Sequence, residues 1–203
     1  IANVNALLGM IEEKGEVVMH PTNYAIIKGE ALGLRAFLHF DLLRMFGWGD
    51  LKRHPENLDR LTIPYVLRYH KSTTKQSTER EVLELIHADL NEAEKLLAYY
   101  DSYGPESKDE SYELPNADGF YKNRRNHLNY YAVRALQARV YMWEGNYQEA
   151  LKCVDPLFTK DNVISWVNAD ASINVEEKER DLSYTTEHIF NLDIANMYEP
   201  LKP

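Results

Sequence analysis

Cysteine is almost absent from the 203-residue chain, which contains a single one, Cys153. One cysteine cannot form an intrachain disulfide, so the fold is not held by a disulfide framework. Cys153 falls within a stretch of amphipathic helical pattern, where a free cysteine behaves as a small hydrophobic residue. We therefore predict that Cys153 is a buried thiol, and its presence leaves the cellular compartment open.

Basic residues are outnumbered by acidic ones. The 23 Lys and Arg and 32 Asp and Glu give a formal net charge of −9. Such a charge disfavours nucleic acid and anionic membrane surfaces as the main partner. Long hydrophobic runs are also missing, since the most apolar window, Ala31–Phe46, contains Arg35, His39, Asp41 and Arg44. We therefore predict neither a membrane-spanning helix nor a signal peptide in this chain.

Signature patterns of catalysis are missing as well. The sequence has no nucleophile elbow, no phosphate-binding loop and no dinucleotide fingerprint. A Glu-x-x-His spacing joins Glu84 to His87, but di-iron bundles need two such motifs and further glutamates on facing helices. We interpret the two residues as a solvent-exposed pair and expect neither a metal nor another cofactor. Acidic pairs of the glycosidase kind stay an open alternative, because their separation in space is not visible from sequence.

The longest helical pattern that the chain does have covers Ile27–Phe46. Its apolar residues, spaced at about 100° per residue, fall on two opposite arcs. A helix with one apolar stripe lies on a surface, whereas a helix with two lies between neighbours. We predict a central helix sandwiched in stacked helical hairpins, with the central helix of an ordinary bundle as the alternative. The first arc consists of Ile27, Ala31, Leu34, Leu38, Leu42 and Met45. The second arc consists of Gly29, Leu32, Gly33, Ala36, Phe40 and Leu43.

Two further helices are predicted on either side of this one. Ile1–Lys14 has apolar residues on one face and is followed by Gly15, a typical helix stop. Thr78 and Glu81 form a capping box that starts a helix reaching about Ala98.

A helical hairpin is predicted in the second half, with helices at Leu128–Trp143 and Tyr147–Phe158 around a tight turn at Gly145. Gly145, Tyr147 and Ala150 match the spacing of a tetratricopeptide repeat. The inward face of the second helix is predicted to consist of Tyr147, Ala150, Leu151, Val154 and Leu157.

The last part of the chain follows a different pattern. Val163–Val167 and His188–Ile194 are rich in β-branched and aromatic residues and are interpreted as strands or extended segments. We therefore divide the chain into a helical region, 1–158, and an extended or β-containing tail, 159–203. The polar stretch Asp101–His127 is predicted to be a long loop between helices.

Two motifs, about a hundred residues apart, resemble the SusD/RagB family of Bacteroidetes outer-membrane nutrient-binding lipoproteins. The first, GEALGLRAFLHFDLLRMFG, begins at Gly29, and the second, ALQARVYMWEGNYQEALKCVD, begins at Ala135. The first motif matches the family pattern at Glu30, Ala31, Leu34, Arg35, Ala36, Phe40, Asp41, Leu42, Arg44, Phe46 and Gly47. The second matches it at Ala135, Ala138, Arg139, Tyr141, Gly145, Asn146, Tyr147 and Ala150.

The resemblance implies a mostly α-helical scaffold of tetratricopeptide-like hairpins with long irregular insertions and a small extended or β segment near the C-terminus. It further implies a non-enzymatic protein that captures oligosaccharide or polysaccharide at the cell surface for a SusC-like TonB-dependent transporter. Family members are lipid-anchored to the outer membrane, so we interpret this chain as a piece of a longer protein. Arg35 and Asp41, as family markers, are expected to hold the fold through buried or half-buried hydrogen bonds.

Candidate ligand-binding residues are loop aromatics and their polar neighbours, because sugars stack on aromatic faces and hydrogen bond to polar groups. Trp48 is the main candidate, since it lies between two glycines just after a helix end, and Asp50 is beside it. The long polar loop supplies the other candidates, Tyr112, Phe120, Tyr121 and Asn123, with Arg124 next to them. Two alternatives stay open. Each aromatic could instead cover the helices, and the protein could be a helical-repeat scaffold for a protein or peptide.

Overall fold

The described part of the chain is built from α-helices that are joined by loops and short 3-10 helices. The structure, a computed structural model, describes residues 1–101, 103–104, 124–159, 164, 166–168, 175 and 184–191. These ranges contain six α-helices and no β-strand, which confirms the mostly α fold class. The helices are α1 (Ala2–Met10), α2 (Glu16–Val18), α3 (Pro21–Phe46), α4 (Glu79–Tyr100), α5 (Tyr130–Glu144) and α6 (Tyr147–Thr159). Short 3-10 helices cover Pro55–Asp59, Arg124–Asn126 and Thr185–Glu187.

The two longest helices, α3 and α4, pack against each other as an antiparallel pair. Gly29 near the start of α3 faces Leu97 near the end of α4, where an added Cβ would lie 2.9 Å from the leucine Cγ. At the opposite end, Trp48 just after α3 contacts Glu79 at the start of α4. The capping box of Thr78 is present, as predicted, with hydrogen bonds in both directions.

Helices α5 and α6 extend this arrangement. Arg134 of α5 pairs with Glu94 of α4, so α5 lies beside α4. Gly145 ends α5 in the left-handed conformation, at φ 76°, and the chain turns directly into α6. The predicted hairpin and its turn are therefore confirmed. The tetratricopeptide-like superhelical arrangement stays a prediction.

The buried face of α3 differs from the predicted pair of apolar arcs. All six residues of the second arc are buried, but in the first arc only Ala31 is buried and Met45 is 65% exposed. Arg35 and His39, which lie between the two arcs and are called the polar strip, are buried in its place. The spacing of apolar residues does not reveal this strip, because its side chains are polar. They are buried because they are hydrogen bonded to α4 and to loop backbone.

The N-terminal helix does not stop at Gly15, as the sequence predicted. α1 continues through a π-helical turn, Ile11–Gly15, into α2. An added Cβ at Gly15 would lie 2.8 Å from the ring of Tyr24 and 3.1 Å from Ile11. Gly15 therefore allows close approach of α3 and does not terminate the helix.

The inward face of α6 is also rotated from the prediction. Tyr147 and Leu151 are 51% and 59% exposed, whereas Ala150, Cys153 and Leu157 are buried. The thiol of Cys153 packs against Ala138 of α5, and burial raises its pKa. The prediction of a buried thiol is confirmed, and its burial is what turns Leu151 to the outside.

The described part of the tail contains no strand. Ile164, 166–168 and 188–191 are irregular, and a 3-10 turn at Thr185–Glu187 precedes the last of these stretches. A strand needs a pairing partner, and none lies beside these described residues. Their apolar side chains pack on the helices instead, as Phe190 does edge-on against Phe37, with ring centroids 6.2 Å apart. These described positions are therefore not strands, and the remaining positions of the two predicted segments, 163, 165 and 192–194, lie outside the described residues.

Candidate functional site

The loop that follows α3, residues 47–59, carries the main predicted site residues and is called the Trp48 loop. It leaves the helix at Gly47, whose N–H donates to the Leu43 carbonyl at 2.7 Å. A Cβ at Gly47 would lie 2.6 Å from that carbonyl oxygen and 2.7 Å from the Glu79 carboxylate. Only glycine allows the chain to pass this close to α4, so the position of Trp48 is fixed by its neighbour.

Glu79 anchors the loop from inside the fold. Its side chain is fully buried, at 0% exposure. The carboxylate accepts the backbone N–H of Trp48 at 3.1 Å and the indole N–H of Trp143 at 3.1 Å. Burial raises the pKa of Glu79, and the donated hydrogen bonds offset part of that rise. One carboxylate thus ties the Trp48 loop to both α4 and α5.

The indole of Trp48 is held in one orientation while part of it stays accessible. Its Nε1–H donates to the Leu61 carbonyl at 3.0 Å. The Arg60 guanidinium lies 3.6 Å from the ring centroid and covers one face. The residue as a whole is 36% exposed. Trp48 is therefore neither folded into the core nor free to rotate.

Asp50 lies two residues further along, at the surface. It is a non-glycine residue in the left-handed region, at φ 57°, where Asp is tolerated better than most residues. Its carbonyl accepts the N–H groups of Arg53 and His54, and its exposed carboxylate lies 3.6 Å from Arg53. The structure thus brings Trp48 and Asp50 into one loop with the Asp50 carboxylate facing solvent.

A small cleft of about 240 Å³ lies under the same loop, called the loop cleft. Three of its polar residues are paired: Arg80 with Asp59 at 3.0 Å, and His87 with Glu144 at 3.0 Å. The cleft is lined by Leu51, Leu58, Arg80, Leu83, Glu84, His87 and Glu144.

The Glu-x-x-His pair is only partly as predicted. Glu84 is exposed, but His87 is half-buried, bonded to Glu144 and packed on the Tyr141 ring at 4.6 Å. In the described ranges, no cluster of three or more His, Cys, Asp or Glu could hold a metal ion. Across the same ranges, no helix has the length and apolarity that a membrane span requires.

A buried charged pair connects α3 and α4 at the middle of the fold. Arg35 donates two hydrogen bonds of 2.7 Å to the Asp89 carboxylate, and Tyr65 donates a third at 2.6 Å. Burial would lower the pKa of Arg35, but the Asp89 carboxylate outweighs it and the net shift is upward. The expectation that Arg35 holds the fold is confirmed. Asp41 has a weaker role, with contacts of 3.4 and 3.8 Å to two half-exposed arginines.

The same network holds the segment 61–67, which runs from the Trp48 loop along α3 and is called the strap. Arg35 donates to the Leu67 carbonyl at 3.0 Å, and the Val66 N–H donates to His39 Nε2 at 3.0 Å. His39 Nδ1 lies 2.8 Å from the Arg35 carbonyl, so Nδ1 carries the proton and Nε2 accepts. Burial lowers the pKa of His39 and favours this neutral form.

The two ends of the long polar loop lie near the N-terminal half of α3, away from Trp48. Arg124 is buried against Asp101 at 3.0 Å and also pairs with Glu30 in the N-terminal half of α3. Glu30 and Phe46 are 16 residues apart, which is about 24 Å along a helix. The roots of the long loop thus lie far from Trp48. The other predicted site residues, Tyr112, Phe120, Tyr121 and Asn123, lie outside the described residues.

Two residues that shape this region were missed by sequence reasoning. Arg60 stacks on Trp48, and Glu79 anchors its backbone. Glu79 follows the Thr78 cap directly, so the sequence presents it as an ordinary acidic residue of a first helical turn. Nothing in the local pattern distinguishes it from an exposed glutamate.

A larger groove of about 640 Å³ lies between α3, α5 and α6. It is almost entirely apolar, and its polar members, Arg44 and Arg139, lie at 5.9 and 5.7 Å from the Phe40 ring. A sugar needs many hydrogen-bond partners, so this groove is a poor site for one.

The comparisons with known proteins point in one direction. A family model named SusD-like and described as starch-binding associating with outer membrane matches residues 1–109. A SusD superfamily protein from Bacteroides thetaiotaomicron superposes with a TM-score of 0.65 at 20% identity, over 85% of this chain and 33% of its own. A putative sugar binding protein from Bacteroides vulgatus gives 0.55 at 25% identity, over 76% and 29%. A laminarin binding SusD-like protein gives 0.53 at 19% identity, over 81% and 29%.

This chain spans about a third of the length of those solved structures. No curated protein is significantly similar to it in sequence. At these low identities the superpositions establish a shared fold and nothing more. The family model covers residues 1–109 of 203, which is more than half of the chain. The chain therefore belongs to the SusD-like family.

Proposed function

We propose that this protein is a non-enzymatic binding protein that captures oligosaccharide or polysaccharide at the cell surface. The observation that carries the proposal is Trp48, a partly exposed indole fixed at a helix end, in a chain whose family model is described as starch-binding. A pyranose ring presents C–H groups on its faces and hydroxyls at its edge. An immobilised aromatic with polar neighbours is the complementary surface.

The proposal gives each residue a role that its geometry supports. Trp48 offers the ring face opposite Arg60 for stacking, and the Asp50 carboxylate is placed to accept hydroxyl hydrogens. Arg60 needs no ordering when ligand binds, because it already lies on the indole. The predicted contacts of Tyr112, Phe120, Tyr121 and Asn123 belong to the proposal as well, as a second group of ligand-binding residues in the long loop.

The partner and location are part of the same proposal. We infer a SusC-like TonB-dependent transporter as the receiving protein, and a lipid anchor to the outer membrane in the full-length protein. The family description, which names association with the outer membrane, supports the location. The transporter is inferred from the family resemblance of the two motifs. The division into a helical region, 1–158, and a tail, 159–203, also stays a proposal.

Calorimetric titration tests the binding function. Maltoheptaose represents starch and laminarihexaose represents laminarin, the two glucans named by the family model and by a structural relative. We expect one of them to bind, and Trp48→Ala to weaken it at least about tenfold, as loss of an aromatic anchor does. Trp166→Ala is the matched control, because Trp166 is 67% exposed and stacks on Phe158 away from the Trp48 loop.

Four results would contradict the proposal. If neither glucan binds, or if Trp48→Ala binds as well as the Trp166 control, the assigned site is wrong. If the protein instead binds a member of a peptide library tightly and no glucan, it is a helical-repeat scaffold. New reducing ends after incubation with either glucan would show that the protein is an enzyme.

A further inference from the structure

A second concave surface lies at the other end of the strap, between the N-terminal helix and the residues that follow Val66. This α1 groove has a volume of about 560 Å³. One wall is formed by α1 and the π-helical turn, and the other by 67–69. Unlike the apolar groove, it has polar groups on both walls: Glu12 and Glu13 on the first, and Arg68 on the second.

Gly9 forms part of the groove floor, and the fold gives no reason for a glycine there. An added Cβ at Gly9 would meet no atom within 4 Å. The other described glycines inside helices are close to neighbours, with Cβ contacts of 2.8 Å at Gly15, 2.9 Å at Gly29 and 2.3 Å at Gly33. Glycine weakens a helix relative to alanine, so a helical glycine facing open space indicates an approach to the backbone from outside.

The wall opposite Gly9 presents an aromatic ring. Tyr69 lines the groove and is 67% exposed, which leaves its ring available for contact. On the helical wall, the π-helical turn that follows α1 contains Glu12 and Glu13, and such turns are frequent at functional sites. The groove thus combines an accessible ring, two carboxylates and a guanidinium around exposed helix backbone.

The backbone that leads to Tyr69 is fixed from inside the fold. Asn5 donates to the Val66 carbonyl at 2.6 Å, and Arg35 donates to the Leu67 carbonyl at 3.0 Å. Arg35 also donates to the Asn5 amide oxygen at 3.3 Å. Because consecutive carbonyls just before Arg68 are held by buried side chains, the wall is preorganised for a ligand.

We propose that the α1 groove is a second carbohydrate subsite, which takes one pyranose ring of a glucan between Gly9 and Tyr69. The ring stacks on Tyr69, its hydroxyls donate to Glu12 and Glu13, and Arg68 donates to a ring or hydroxyl oxygen. This inference rests on the proposed function. It concerns a separate surface, because Arg35 beside the groove and Phe46 at the Trp48 loop are 11 residues apart, about 17 Å along α3.

Two substitutions test the subsite in the intact chain, with maltoheptaose and laminarihexaose as probes. Tyr69→Ala removes the stacking ring from an exposed position. Gly9→Leu fills the open space above the helix with a residue of good helix propensity. We expect each to weaken binding of the preferred glucan about tenfold or more, with unfolding temperatures no lower than that of the wild type. Trp166→Ala, at an aromatic side chain that is 67% exposed like Tyr69, is the matched control.

Amide hydrogen exchange gives an independent readout, since the bound glucan should protect 5–13 and 67–69. If the wild type binds glucan and Trp48→Ala weakens it, while Tyr69→Ala and Gly9→Leu bind as the control does, the subsite is wrong and the proposed function stands. If the wild type binds neither glucan, the proposed function fails and the subsite fails with it. A loss of binding in Gly9→Leu together with a lower unfolding temperature would overturn the steric explanation, unless Tyr69→Ala lost binding while remaining stable.

Discussion

The two helical hairpins of this protein are built from different interiors. Between α3 and α4 lie buried charged and polar side chains, among them Arg35, Asp89 and Glu79. Between α5 and α6 the buried contacts come from small residues, Ala138, Ala150 and Cys153. The first hairpin is joined by an irregular connection of 32 residues, 47–78, and the second by a tight turn.

The connection explains the difference. A tight turn satisfies its own backbone groups, but an irregular segment against a helical core leaves N–H and C=O groups that need partners. The helices supply those partners through His39 to Val66, Arg35 to Leu67, and Glu79 to Trp48. Buried polar groups therefore mark the places where this protein holds irregular chain in a defined shape. Both proposed carbohydrate surfaces border that chain.

The largest difference between the hairpins is expected at the charged pair. Arg35→Met keeps the aliphatic stem but leaves the Asp89 carboxylate buried without its guanidinium. We expect the free energy of unfolding to fall by about 3–5 kcal/mol, measured by urea denaturation. Arg80→Ala is the control, because its pair with Asp59 is exposed and should change stability by less than about 1 kcal/mol. Equal effects of the two substitutions would show that the buried network does not hold the first hairpin.

The anchor of the Trp48 loop is expected to have the next largest effect. Glu79→Ala removes the acceptor of two donors, the Trp48 N–H and the Trp143 indole. We expect a loss of roughly 2–3 kcal/mol in the free energy of unfolding, because buried donors are left unsatisfied. Amide exchange should also accelerate in 47–59 more than in α6. Unchanged exchange in the loop would contradict the assigned role of Glu79.

The second hairpin should respond much less to loss of a buried group. Cys153→Ala removes one buried sulfur and leaves a small void, with an expected cost of about 1 kcal/mol in urea denaturation. Leu151→Ala on the exposed side of α6 is the control and should stay within about 0.5 kcal/mol of the wild type. A cost at Cys153 that matches the cost at Arg35 would remove the contrast between the hairpins.

The smallest predicted effect is a pH dependence that belongs to the first hairpin alone. The pKa of His39 is lowered by burial beside Arg35, with Tyr65 and Asp89 as its other charged or titratable neighbours. The unfolded chain therefore binds this proton at a higher pH than the folded chain does. Stability from His39 is complete above its unfolded value of 6.5 and is lost as the pH falls below it.

His39→Gln measures this contribution directly. The difference in unfolding free energy between wild type and variant should shrink as the pH falls below 6.5. Glu79, whose pKa is raised, contributes in the opposite direction at lower pH, but it is common to both proteins and cancels in the difference. A difference that is constant from pH 7.5 to 5 would show that His39 does not titrate differently in the folded state.

Sequence reasoning succeeded where a structural feature is set by neighbouring residues. The capping box at Thr78 and the tight turn at Gly145 are local signals, and both were predicted. It failed where a distant residue decides. Gly15 was predicted to end a helix, but the helical chain continues through it. A glycine is needed there because the ring of Tyr24 on α3 leaves no room for a Cβ.

The candidate site shows the same limit. Trp48 and Asp50 were proposed from their place after a helix end with glycines nearby, which is a local pattern. Arg60 on the indole is a cation–π contact between residues that are not neighbours in sequence. The strap that leads to Tyr69 depends on hydrogen bonds between residues that are far apart in sequence. The buried position of His39 depends on them too, so the sequence did not predict that polar strip as part of the core.

A crystal structure with bound maltoheptaose or laminarihexaose tests most directly whether the irregular chain held by the first hairpin forms the binding surface. We predict a sugar ring stacked on the face of Trp48 opposite Arg60, with no displacement of the indole from the Leu61 carbonyl. A glucan bound in the apolar groove between α3, α5 and α6, with the Trp48 ring unoccupied, would contradict it.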